Sequence, residues 1–354
     1  MALSIEKSLF GTMRDGTPVL CYTLKNASGA SVKITQYGGA MVELHVPGRD
    51  GKLADVICGY DDLNGYLEGA GYHGALIGRF GNRIADGRFV LNEKEYLLAK
   101  NEGGISHLHG GNIGFDQKIW DAVPEEKDGD CILHLSLISE DGEEGYPGRL
   151  EVKVTYTLTH DNALRIVYNA ISDKDTIINL TNHAFYNLGG YDSGDVLGHE
   201  LMIDADAITE VDERCIPTGK LLPVAGTPFD FRQAKPIGRD IDQDCSQLRC
   251  GNGYDHNFVL NNNGSLAKIA EVYDPASGRV MEVYTDQPGV QLYTANGMNG
   301  TYPFKKGIAQ TPRHALCLET QFFPDGPNHE NFPSCVLRAG ETYRHHTEYR
   351  FSVR

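Results

Sequence analysis

The chain has 354 residues, enough to bury on the order of 75% of the surface that the unfolded chain exposes. Its 48 acidic residues outnumber 32 basic ones, for a formal net charge of −16. No cluster of Lys and Arg interrupts that excess, which argues against a nucleic-acid partner or an anionic membrane surface and favours a small neutral or polar ligand.

The first eleven residues, Met1 to Gly11, have neither a seven-residue apolar core nor a small-residue cleavage site. No window approaches the ~18 apolar residues that a membrane-spanning helix needs. Cys21, Cys58, Cys131, Cys215, Cys245, Cys250, Cys317 and Cys335 are scattered, with no Cys-x-x-Cys pair. Without a secretory signal they read as reduced thiols, which predicts a cytoplasmic protein.

Period-two alternation runs through most of the chain. In Leu150-Glu151-Val152-Lys153-Val154-Thr155-Tyr156-Thr157-Leu158 every even position is apolar and every odd one polar, the pattern of a strand with one wet face. Similar runs lie at 31–37, 131–138, 164–171, 279–285, 290–294 and 342–352. Between such runs stand Asp15-Gly16, Asp50-Gly51, Asp86-Gly87, Asp128-Gly129, Asp141-Gly142 and Ser277-Gly278, all turn dipeptides. Helical periodicity is confined to short turns near 61–67 and 240–249. The 41 glycines fit a turn-rich chain. The expectation is one all-β domain, residues 1–354, built as a large antiparallel β-sandwich with few short helices.

Five polar clusters interrupt this pattern. Gly78-Arg79-Phe80-Gly81-Asn82-Arg83-Ile84 offers, in Arg83, a planar donor fork suited to hydroxyls or carboxylates. Ser106-His107-Leu108-His109-Gly110-Gly111 has two histidines that share a face if the chain is extended. That spacing is open to three readings: a metal pair, one histidine of a sugar or acid–base site, or two structural residues. His183 lies among amides and hydroxyls in Asn179-Leu180-Thr181-Asn182-His183-Ala184-Phe185-Tyr186-Asn187. Asp255, in Tyr254-Asp255-His256-Asn257-Phe258, is a turn cap or an acceptor for ligand hydroxyls.

The fifth cluster joins Gln287-Pro288-Gly289-Val290-Gln291 to Ala315-Leu316-Cys317-Leu318-Glu319-Thr320-Gln321-Phe322-Phe323-Pro324-Asp325. On a strand Cys317, Glu319 and Gln321 share one face, and Leu316 and Leu318 the other. Glu319 is a carboxylate in an apolar strand, either paired with a cation or held for chemistry. His345-His346 near the end reads as a solvated pair on opposite faces, and the lone Trp120 as core.

Taken together and in this order, these clusters resemble the aldose 1-epimerase (galactose mutarotase) family. The matching residues are Gly78-Arg79, Asn82-Arg83-Ile84, Leu108-His109-Gly110-Gly111 with Phe115-Asp116 and Trp120, and Thr181-Asn182-His183 with Tyr186-Asn187-Leu188. They continue through Tyr254-Asp255-His256-Asn257-Phe258, Gln287-Pro288-Gly289-Val290-Gln291 and Leu318-Glu319-Thr320-Gln321 with Pro324-Asp325. The resemblance spans about residues 10–352. It implies the galactose mutarotase-like supersandwich and an isomerase that interconverts the anomers of free hexoses without cofactor or metal. It also implies Glu319 as general base, His183 as general acid and His109 as the second catalytic histidine. Asn82, Arg83, Asp255 and Gln291 fall where the family contacts sugar hydroxyls, and His107 is left structural.

Three departures stand out: His73 where an apolar residue is common, Ala339 where proline is common, and Gly326-Pro327 after Asp325. The expected partner is a small sugar, with no nucleic acid and no membrane, and the expected state a monomer or weak homodimer. The competing readings are a metal-dependent enzyme using His107 and His109, a hexose-6-phosphate 1-epimerase, and a non-catalytic carbohydrate-binding protein of the same fold.

Overall fold

The computed structural model describes residues 3–69, 71–298 and 302–354. Among them every ladder between strands is antiparallel, and the two α-helices, Leu63–Glu68 and Ser246–Gly251, are six residues each. Both fall where the sequence allowed short helical turns.

A nine-stranded sheet forms the spine. Its order is Asp121–Lys127, Asp130–Ser139, Leu150–Leu158, Ala163–Ser172, Thr342–Val353, Arg279–Thr285, Ala267–Tyr273, Glu200–Ile203 and Lys235–Pro236. Leu150–Leu158 alternates as its sequence predicts, with Leu150, Val152, Val154, Tyr156 and Leu158 buried and Glu151 and Lys153 exposed. At one end, strands Ser4–Thr12, Pro18–Lys25, Ser31–Thr35, Met41–Pro47 and Leu53–Asp55 form a second sheet. It contributes Leu24, Val32, Ile34 and Leu44 to the same core as Leu133, Leu135 and Val154.

A third sheet, in the order Pro217–Pro223, Ala205–Val211, Asp255–Leu260, Gly289–Tyr293 and Cys317–Gln321, carries the polar clusters. Its inner face supplies Phe258, Val290, Leu292 and Leu318 to the core that also holds Met281, Val283 and Tyr349 of the spine. The Tyr349 hydroxyl donates to the Leu318 carbonyl at 3.1 Å, and the Thr320 and Thr347 hydroxyls meet at 2.5 Å. These bonds tie the strand bearing Glu319 to the longest strand of the spine. Burying the apolar face of Leu318 in this way aims its neighbours Cys317 and Glu319 to the opposite side, as period two requires.

Trp120 is core, donating its indole N–H to the Phe115 carbonyl at 3.1 Å. His345 and His346 correct the expectation of a solvated pair. The Asp286 carboxylate meets the His345 ring at 3.0 Å and accepts the His346 backbone N–H, leaving both side chains only partly exposed.

Candidate active site

The third sheet, the Leu76–Arg83 segment, the His109 turn and Thr181–His183 converge on a cleft of about 350 Å³, within the range of small-molecule sites. Asn82, Arg83, His109, His183, Asp255 and Glu319 all line it, with Tyr60, Tyr72, Tyr293 and Phe185 as aromatic walls. Six of the seven sequence-predicted site residues therefore meet. The seventh, Gln291, sits one step back. It pairs across the strands with Glu319 and donates its amide to Asp255 at 2.6 Å, while its oxygen accepts from Gln321 at 3.2 Å.

Glu319 is 2% exposed, with Oε1 3.6 Å from His183 Nε2 and Oε2 buried without a hydrogen-bond partner. Burial, reinforced by the nearby charge of Asp255, raises its carboxyl well above the usual range, while Arg83 acts in the opposite sense. Burial, and then His73, hold the His183 imidazole down at about 3. At this separation in a dry setting, burial pushes both groups toward their neutral forms.

His109 is placed by backbone geometry. The short strand His107–Leu108 pairs with Arg83–Ile84, and the chain then enters the left-handed region at His109 with φ 50°. Gly110 follows at φ 89°, where a Cβ would lie 1.8 Å from the Gly78 carbonyl oxygen, so only glycine fits that approach. The turn separates the two histidines, which corrects the shared face expected of an extended chain. His107 turns into the interior, with Nδ1 2.8 Å from the Ala99 carbonyl and Nε2 2.5 Å from the Tyr146 hydroxyl. His109 turns into the cleft.

The Asn82 backbone N–H donates to His109 Nδ1 at 3.1 Å, and the His109 N–H returns to the Asn82 carbonyl at 3.0 Å. A ring nitrogen that accepts carries no proton, so neutral His109 has its hydrogen on Nε2. Burial, with His183 next, keeps its pKa well below the ordinary value, which makes it a fixed neutral donor. The same tautomer bears on the metal reading. Ligating atoms of His109, His183 and Glu319 lie within 4.8 Å of one another. However, a metal on His109 Nε2 needs the proton on Nδ1, where the Asn82 amide already points. A metal bound at Nε2 would therefore have to break the Asn82 hydrogen bond.

Arg83 donates through Nε and Nη2 to both oxygens of Glu102, at 2.8 and 2.7 Å, and holds Nη1 3.8 Å from Asp255. Burial alone would lower its pKa, but the two carboxylates outweigh burial and raise it, so the guanidinium stays charged. Glu102 also accepts the Ser106 hydroxyl at 2.7 Å. It is the main residue that sequence reasoning missed. The partner of Arg83 stands nineteen positions away on a loop, and no local pattern marks it.

His73, which stands where an apolar residue is common, also lines the cleft, beside Phe185. Its Nδ1 donates to the Cys58 carbonyl at 2.9 Å and its ring sits 4.4 Å from that of Phe185. Burial holds its pKa at about 4, whereas an unfolded histidine titrates near 6.5. Between those values the unfolded chain binds the proton and the folded chain does not, so this histidine's contribution to stability is lost as pH falls from 6.5 toward 4. In a His73→Phe protein that loss disappears. Urea titrations of both proteins are expected to show the native form losing about 3 kcal/mol relative to the variant between pH 7 and 4. Parallel curves would mean that folded His73 takes up its proton normally.

The aldose 1-epimerase family profile matches residues 20–350. The galactose mutarotase of Rattus norvegicus is 42% identical over 351 residues, 99% of either chain. The aldose 1-epimerase of Escherichia coli K12 is 38% identical over 340 residues, 95% of this chain and 96% of its own. Among solved structures, a galactose 1-epimerase from Lactobacillus acidophilus superimposes with a TM-score of 0.88 at 29% identity over 99% of both chains. With this coverage and the arrangement of His109, His183 and Glu319 in the cleft, the chain belongs to the aldose 1-epimerase family.

Proposed function

We propose that this protein interconverts the α and β anomers of free aldohexoses, galactose and glucose among them, by opening and reclosing the sugar ring. The observation that carries this reading is a buried carboxyl and a buried imidazole 3.6 Å apart in a cleft lined with hydroxyl-binding groups. Ring opening takes a proton from the anomeric hydroxyl and gives one to the ring oxygen as the C–O bond breaks. After the aldehyde end rotates, closure reverses both transfers on the other face.

A pair that shares one proton suits this exchange. Sugar hydroxyls donating to Glu319 favour its ionised form, and the proton then resides on His183 Nε2. Glu319 is the base toward the anomeric hydroxyl and His183 the acid toward the ring oxygen. His109 donates its Nε2 hydrogen to the oxygen on which charge develops. Asn82, Arg83 and Asp255 orient the remaining hydroxyls, and Gln291 acts through Asp255.

Among the described residues lining the cleft, Arg83 is the one Lys or Arg, and it is already matched by Glu102 and Asp255. Glu68 and Glu319 add further carboxyl groups to the same wall. A phosphate ester would need cations free to receive it, so the free sugar fits and the hexose 6-phosphate does not. A binding module, for its part, has no use for a buried acid and base set side by side.

The chain acts as one domain, a reading supported by a single buried cluster that runs from Tyr22 to Phe351 across the three large sheets. The proposed state is a monomer or weak homodimer, since the described residues of a single cleft already include the acid, the base and the hydroxyl contacts. The eight cysteines are free, in keeping with the cytoplasm, and among the described residues no helix is long and apolar enough to cross a membrane. Exchange spectroscopy of the anomeric protons tests the substrate class. Galactose and glucose should show enzyme-dependent exchange between anomers, and galactose 6-phosphate should not. Equal exchange for the phosphate ester would overturn the choice of free sugar.

A further inference from the structure

Cys317 and Glu319 lie two residues apart on one strand face, and His183 stands in front of both. Glu319 Oε1 meets the imidazole at Nε2, and Cys317 Sγ meets it at Nδ1, each at 3.6 Å. The thiol contact is within range for a hydrogen bond involving sulfur, and Cys317 is fully buried. Both ring nitrogens of His183 thus face side chains from the same five-residue strand. We propose that Cys317 is a positioning residue that accepts the Nδ1 hydrogen of His183 and so leaves Nε2 as the nitrogen that exchanges the proton. The inference rests on the reading of His183 as the acid.

The other surroundings of the ring agree with this assignment. His109 lies 5.2 Å away, Tyr72 5.9 Å and Tyr293 6.4 Å between ring centroids, all on the cleft side, and Phe185 at 4.9 Å separates it from His73. Burial, and then the charge of Glu319, keep the Cys317 thiol well above its usual pKa, so it remains uncharged. A neutral sulfur accepts weakly, which orients the ring without trapping the proton. The two cleft histidines then have opposite tautomers. His109 is a donor at Nε2 because a backbone amide occupies Nδ1, and His183 is open at Nε2 because its hydrogen is directed to Nδ1. One cannot accept a proton and the other can, which divides their roles.

The test is a ¹⁵N NMR spectrum of histidine-labelled protein without sugar, with the His183 signals identified from a His183→Asn variant. The native protein should show neutral His183 protonated at Nδ1 and His109 at Nε2. Cys317→Ala should give a mixture of His183 tautomers and a kcat lowered about tenfold, a fraction of the ~10²–10⁴ that an acid contributes, with KM within about twofold. Cys317→Ser keeps an acceptor and should restore the Nδ1 tautomer and most of kcat. A native His183 protonated at Nε2 would overturn the proposal, as would a Cys317→Ala protein with native spectrum and kcat. The spectrum needs no turnover, so failure of the acid assignment shows separately, as full kcat in His183→Asn.

Discussion

Replacement of Glu319 by Gln is expected to leave the fold intact and lower kcat for mutarotation by at least ~10²–10⁴, the range over which a positioned proton acceptor contributes. The side chain is isosteric, and the carboxyl it replaces has a buried oxygen with no partner. A neutral amide in that place costs the fold little, and thermal or urea unfolding should be unchanged or shifted toward greater stability. His183→Asn should lose a comparable factor. Because the two groups pass one proton between them, the double variant should be little worse than either single one. Independent factors that multiply in the double variant would show that the residues act separately. Near-native kcat in Glu319→Gln would remove Glu319 from the base role.

The largest effect on stability is expected at Lys305, 4% exposed and far from the proton pair in function. Its ammonium donates to the carbonyls of Val42 and Ile57, each at 2.8 Å, and to the Asp55 carboxylate. Asp55 in turn accepts the backbone N–H groups of Leu44 and Ile57 at 2.9 and 3.1 Å. The cation therefore joins the edge of the amino-terminal sheet to the segment that brings Tyr302 and Gln310 to the cleft wall. Lys305→Met fills similar space but strands a buried carboxylate and two carbonyls, a change that costs about 3–5 kcal/mol. Urea unfolding reads it directly. Adding Asp55→Asn removes the unpaired charge and should recover part of the loss, giving a coupling that a double-mutant cycle measures. A Lys305→Met protein as stable as the native one would show that the ion pair contributes no net stability.

Much of the architecture was legible because its signal is local. The alternation in Leu150–Leu158 is the burial pattern of that strand, and the placing of Cys317 and Glu319 on one face follows from period two alone. What local periodicity cannot supply is the partner of a side chain across the fold. Glu102 was invisible as the clamp on Arg83 for that reason, and so was the thiol contact of Cys317 with His183, 134 residues apart in sequence. A common face for the two histidines of the Ser106–Gly111 stretch follows only from the assumption of an extended backbone. The left-handed turn at His109 undid that assumption, and the glycine beside it was the one sequence mark of the turn. The family resemblance places Gln291 among the sugar contacts, yet its register opposite Glu319 puts its amide on Asp255.

The most direct test of the central claim is polarimetry of freshly dissolved α-D-galactose with protein exhaustively treated with chelator. The account predicts that optical rotation reaches its equilibrium value much faster than in buffer alone, at a rate proportional to protein concentration and unchanged by chelation. A rate equal to that of buffer, or one restored only by added metal, would contradict it.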